Sequence, residues 1–295
     1  MIFVAIFLMI SGGTIYYNYD EINSVRQFYF KRWKSVFPIF YITFLYFYIQ
    51  NVFERGAFFY NGNPWWMLLT VLGIDGFFTY RLSSYYIVGE WYFGAIVMIY
   101  ALYPAVLKVV KKYKWKVLIV VIPVWIWQLE SDWFYVYPTH NLIHCIALFI
   151  VGMLITRYGL SNNKIICVVS WAVSSILLFV PLPGTEFYKG IILSIALYFV
   201  LFSVGNHLTR LPTMQSMIAF LGGLTFPMYL IQNVVGWKLV TRFKAISTGG
   251  IIKTAITTIA LCMIGGWCIN AVTNAFLKAK WFLRLEKWIM GKNNL

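Results

Sequence analysis

Apolar runs of membrane-crossing length tile nearly the whole chain, and this limits the fold more than any motif does. They fall at about residues 1–17, 37–53, 86–107, 115–129, 140–156, 165–182, 190–206, 216–237 and 250–276. A helix needs about 20 apolar residues to cross a hydrocarbon core about 30 Å thick. With 61% of its 295 residues hydrophobic, 20% aromatic and only 11% charged, the chain has too little polar surface for a water-soluble domain. The sequence predicts an all-α polytopic membrane protein of about nine transmembrane helices over 1–276, then a basic amphipathic cytoplasmic tail over 277–295.

A tenth run, PWWMLLTVLGIDGFF at 64–78, is short, opens on Pro64, carries Asp75 and is broken by Gly73 and Gly76. Counting it as a span would put the basic loop at 108–116 outside. It is expected to be re-entrant or interfacial, with its broken backbone satisfied within protein.

The net charge of +15 lies between the apolar runs. The groups Arg26/Lys31/Arg32/Lys34, Lys108/Lys111/Lys112/Lys114/Lys116 and Lys278/Lys280/Arg284/Lys287/Lys292 mark cytoplasmic segments under the positive-inside rule, although Lys238, Arg242 and Lys244 fall on the other side. No segment is left over for nucleic acid. Residues 276–290 alternate Trp281, Phe282, Leu285, Trp288 and Ile289 with Lys280, Arg284 and Lys287, a pattern for a helix lying on the inner leaflet. Cys145, Cys167, Cys262 and Cys268 lie inside apolar runs without metal-site spacing, so no metal is expected. The threading carries the first run from outside to inside, and one more span upstream is expected on that ground.

Several blocks resemble the integral-membrane acyltransferase family 3, the O-acyltransferases of surface polysaccharides and related sugars. They are Ser11-Gly12 with the aromatic-basic FYFKRWKSVFPIFYI after it, GEWYFGAIVMIYALYP at 89–104, FIVGMLI at 149–155 and LGGLTFPMYLIQNVV at 221–235, in family order across nearly the whole chain. The resemblance implies a multi-pass cell-membrane enzyme that moves an acyl group, acetyl above all, from acyl-CoA to a hydroxyl of a cell-surface or lipid-linked glycan. Acetyl-CoA is then a co-substrate, and no cofactor is held tightly. The family's first span carries a basic residue and a catalytic histidine that find no counterpart here. Ser35, beside Lys34, replaces a usual arginine, and Asn233 stands where histidine is common.

Ionisable and polar groups at membrane depth are costly unless paired or turned toward a cavity, so they are the first candidates for a site. Lys31, Arg32 and Lys34 can grip the phosphates of acyl-CoA, or serve only as a topological anchor at the headgroups. Glu90 can orient an acceptor or an imidazole, or merely favour a helix N-terminus. His140 and His144 share a helix face at the outer end and are the imidazoles available for general-base work; a capping neighbour and a bond within the bundle are the plain alternatives. Trp91, Asp75 and the stripe Tyr229, Gln232 and Asn233 are the acceptor-binding candidates. Asp75 can equally brace a turn, and the stripe can equally bond neighbouring helices. His207 is read as a loop residue, and Ser11 has no base near it in sequence. Two other classes fit the same residues: a member of the family without catalysis, and a transporter of sugar intermediates, which needs paired broken helices.

Overall fold

A computed structural model describes residues 2–85, 91–131, 135–180, 186–243 and 248–290. Every regular element among them is helical: α1 Ile2–Asn18, α2 Val25–Arg55, α3 Pro64–Val71, α4 Trp91–Tyr113, α5 Leu118–Glu130, α6 Leu142–Arg157, α7 Lys164–Phe179, α8 Glu186–Leu208, α9 Pro212–Phe243, α10 Thr248–Leu277 and α11 Lys280–Met290. Stretches within α2, α8, α9 and α10, and the joined Trp91–Glu130, are long and apolar enough to cross a membrane, while α1, α6 and α7 are shorter apolar helices. The protein is an all-α polytopic membrane protein. It divides into two compact units, Met1–Asn23 with Trp91–Gln215, and Ser24–Glu90 with Ser216–Leu295.

The first unit is organised around α6, which is buried on most of its circumference. A helix that is apolar all round belongs inside a protein, and one whose ends are covered by neighbours can be shorter than a lipid-facing span. Helix α1 runs parallel to α6 and touches it backbone to backbone: a Cβ on Gly12 would meet the Phe149 carbonyl oxygen, and one on Gly152 would meet that of Met9. Packing without side chains between the axes is how helices associate where hydrophobic drive is absent. The joint between α4 and α5 is a short 3-10 turn, Lys114–Val117, opened by a positive φ of 54° at Lys114. There the chain doubles back. Trp91 at the start of α4 and Gln128 near the end of α5 both reach the turn Pro138–His140 that leads into α6. The basic loop of the sequence is thus the reversal between two antiparallel helices. At the opposite end Tyr103 Oη donates to the Ile15 and Tyr19 carbonyls, and Lys111 pairs with Glu21 at 3.5 Å.

In the second unit α2, α9 and α10 share a core of Phe47, Ile231, Val234 and Cys262. Helix α3 has eight residues, about 12 Å of rise, and cannot cross. Its path is re-entrant. Tyr48 Oη donates to the Phe58 carbonyl near the end of α2, Tyr41 Oη donates to the Val71 carbonyl near its middle, and Asn61 at the entry donates to the Ser84 carbonyl at the exit. The segment enters and leaves by the same end. Asn63 caps α3 by accepting from the Trp65 amide, with Pro64 in the first turn where its missing N–H costs nothing. At the start of α2, α11 packs through the buried Phe282, stacked against Phe30 and Trp33 with ring centroids 6.4 Å apart in each case. Trp281 and Trp288 stay exposed, and Arg26 lies 4.8 Å over the Trp288 ring.

Candidate functional site

Where α1, α4 and α6 begin, Val4, Ala5, Leu8, Trp91, Tyr137, Thr139, His140 and His144 line a cavity of about 170 Å³. The local chain explains the convergence. Pro138 sets the 3-10 turn, Asn141 caps α6 by accepting from the Ile143 amide, and Gln128 Nε2 donates to the Pro138 carbonyl at 3.1 Å. His140 is thereby held at the turn and His144 one helical turn into α6.

The two imidazoles are held differently. His140 lies flat on the Trp91 indole, with centroids 3.9 Å apart and planes 14° apart, and the Tyr137 ring makes a T-shaped contact with it at 5.4 Å. It is half-buried, and burial lowers its pKa from the ordinary imidazole value, so the neutral ring is favoured near neutrality. His144 is 3% exposed, and its Nδ1 takes the Trp125 indole N–H at 3.0 Å. An indole nitrogen only donates, so Nδ1 must be the accepting nitrogen and the proton of neutral His144 sits on Nε2. His144 therefore presents an N–H donor, whereas His140 keeps both ring edges off the indole face.

The structure thus brings Trp91, His140 and His144 together. Trp125, Tyr137 and Thr139 join them unannounced by the sequence, although the indole of a buried tryptophan does demand an acceptor. Glu90 lies outside the described residues.

The other candidates lie in the second unit. Lys31 is exposed and Arg32 half-buried, while Lys34 Nζ sits 2.5 Å from Glu286 Oε1 of α11. Asp75 is buried, and one oxygen, Oδ2, accepts from both Thr70, at 2.7 Å, and Ser84. Thr70 Oγ1 in turn accepts from the Tyr85 amide, so Asp75 ties the inward and outward limbs of the re-entrant segment. On α9, Gln232 and Asn233 are exposed and Tyr229 is half-buried, stacked on Phe226 at 6.5 Å. Among the described residues no group of His, Cys, Asp and Glu is arranged to hold a metal ion.

No curated protein and no solved structure matches the chain. A family model does: the one described as an acyltransferase domain covers residues 1–268, in line with the ordered sequence blocks and the helical membrane fold, and the protein belongs to acyltransferase family 3, a family of membrane acyltransferases.

Proposed function

We propose that the protein transfers acetyl from acetyl-CoA to a sugar hydroxyl of a cell-surface or lipid-linked glycan, with His140 as the general base. The observation that carries this is the unequal tethering of the two histidines: the Nδ1 of His144 is committed to Trp125, while the neutral ring of His140 faces the cavity from its stack on Trp91. In the reaction His140 takes the hydroxyl proton as the oxygen attacks the thioester carbonyl carbon. The C–S bond then breaks, and the leaving thiolate takes the proton from the imidazolium, giving the ester and free CoA. The His144 N–H, in the same cavity, steadies developing negative charge on oxygen.

The test is transfer of radiolabelled acetyl into glycan by the purified protein in liposomes. Replacing a general base removes about 10² to 10⁴ of rate, so His140→Ala should fall by that much and His144→Ala by less. Full activity in His140→Ala overturns the assignment.

A further inference from the structure

Helix α11 is amphipathic in sequence, and the structure divides its apolar residues between two uses. Phe282 is buried, with its ring centroid 6.4 Å from those of Phe30 and Trp33 on α2 and 5.4 Å from that of Phe276 near the end of α10. Met290 is buried at the other end of the helix, where its carbonyl accepts from Gln27 Nε2 at 2.9 Å. Between them Glu286 pairs with Lys34. Phe282, Glu286 and Met290 follow at intervals of four, so they form one stripe, and that stripe is spent on α2. Trp281, Leu285 and Trp288 do not join it. They form a second stripe and are 56%, 39% and 73% exposed.

Cations flank this open stripe. At about 100° per residue, Lys280, Arg284 and Lys287 fall within an arc of about 60° beside the one that holds the two tryptophans, and all three are exposed. Arg26 of α2 adds a fourth, 4.8 Å over the Trp288 ring. Charge here is one-sided. Glu286 is the only acid of α11 and of the first turns of α2, and among the described residues no carboxylate pairs with Lys280, Arg284 or Lys287. The chain also fixes the depth of the helix: α10 has an apolar stretch long enough to cross a membrane, and two residues, Lys278 and Ala279, separate it from α11. The aromatic and cationic stripes therefore sit where hydrocarbon gives way to headgroups, the depth that suits both indoles and long basic side chains.

We infer that this surface docks anionic phospholipids of the inner leaflet, with Lys280, Arg284 and Lys287 on the headgroup phosphates and Trp281, Leu285 and Trp288 against the upper part of the acyl chains. Guanidinium and ammonium groups meet phosphate through charge-assisted hydrogen bonds, and indoles gain by leaving water for the interface. A free anion uses the cations alone. Two stripes side by side fit a ligand that is charged at one end and apolar at the other. Nothing in this surface depends on the acyl transfer proposed above.

The full chain is placed in nanodiscs of phosphatidylcholine with added phosphatidylglycerol, and the lipids it retains on release are counted by native mass spectrometry, with thermal unfolding as the control for folding. Wild type should retain phosphatidylglycerol in preference to phosphatidylcholine, and equal retention overturns the inference. A cation near an anionic surface contributes about fivefold, so Lys280→Gln/Arg284→Gln/Lys287→Gln should lose the preference by roughly tenfold or more. An unchanged preference in that variant overturns the inference. If the triple variant does not fold, Arg284→Gln and Lys287→Gln decide singly, and no loss in either has the same meaning. Lys108→Gln/Lys112→Gln/Lys116→Gln takes as many exposed cations from the end of α4 and the turn after it, and should keep the preference. Equal loss there would give the lipid to basic charge at large and overturn the docking surface on α11. Two further outcomes name another occupant and also overturn it. Displacement of the retained lipid by glycerol phosphate in solution would make the surface a site for free phosphates, and wild-type dimers abolished in Trp281→Ala/Trp288→Ala would make it an interface between copies.

Discussion

Gly12 of α1 and Phe149 of α6 approach so closely that a Cβ on the glycine would lie 2.1 Å from the phenylalanine carbonyl oxygen; the reciprocal pair, Gly152 and the Met9 oxygen, stands at 2.0 Å. The obstacle in both cases is backbone, which cannot swing aside. Gly12→Val must push the helices apart, at a cost of about 1–3 kcal/mol or more. Thermal unfolding in detergent should show a lowered Tm for Gly12→Val and for Gly152→Val. The double variant should lose less than the two losses added together, since one displacement relieves both contacts.

This contact marks the limit of what the sequence discloses. The spans, the basic reversal before α5 and the re-entrant character of 64–78 were all legible, because length, charge and the breaks at Pro64, Gly73 and Gly76 are local properties. The central place of α6 was not. LIHCIALFIVGMLITR is no more apolar than a helix facing lipid, and in a membrane hydrophobicity does not separate protein-facing from lipid-facing sides. The same applies to the site. His140 and His144 could be paired by their spacing of four, but their partners Trp91 and Trp125 come from other helices, and Glu286 reaches Lys34 from 252 residues away.

If His140 is the base, its burial against Trp91 bears on the pH dependence of transfer. A base must be neutral to act, and burial lowers the imidazole pKa, so the acid limb of the rate should lie below the ordinary value of about 6.5. Rate rises as pH climbs through that limb and then levels off. Trp91→Ala opens one face of the ring to water and should move the limb upward. A limb that stays at its wild-type position in Trp91→Ala would show that the indole does not set it, and a limb that persists in His140→Ala would assign it to another group.

Asp75 has both of its described hydroxyl partners on one oxygen. Asp75→Ala takes from the buried Thr70 hydroxyl its carboxylate acceptor, a loss of about 1–3 kcal/mol. Asp75→Asn keeps an acceptor of the same shape and should lose less. If the carboxylate is a brace, acceptor KM at a temperature where Asp75→Asn is folded stays at the wild-type value. A KM that rises while stability holds would put Asp75 in contact with the acceptor.

The ion pair between Lys34 and Glu286 sets two roles of one lysine against each other. It is short, partly buried and reinforced by the stacking of Phe282 against Phe30 and Trp33, so it tethers α11 to the start of α2. Removing one partner leaves a half-buried charge uncompensated, and Glu286→Gln should weaken the tether by about 1 kcal/mol, less than a fully buried pair would lose because solvent still reaches Lys34. Two measurements separate the roles. Limited proteolysis after α10 should accelerate in Glu286→Gln, and the charge-swapped double variant Lys34→Glu/Glu286→Lys should slow it again. Acetyl-CoA affinity then decides the rest. If Lys34 also serves the phosphates, loss of the competing carboxylate tightens binding, and the charge swap, which moves the cation to α11, weakens it. If affinity follows neither change while proteolysis follows both, Lys34 holds α11 in place and does not serve the donor.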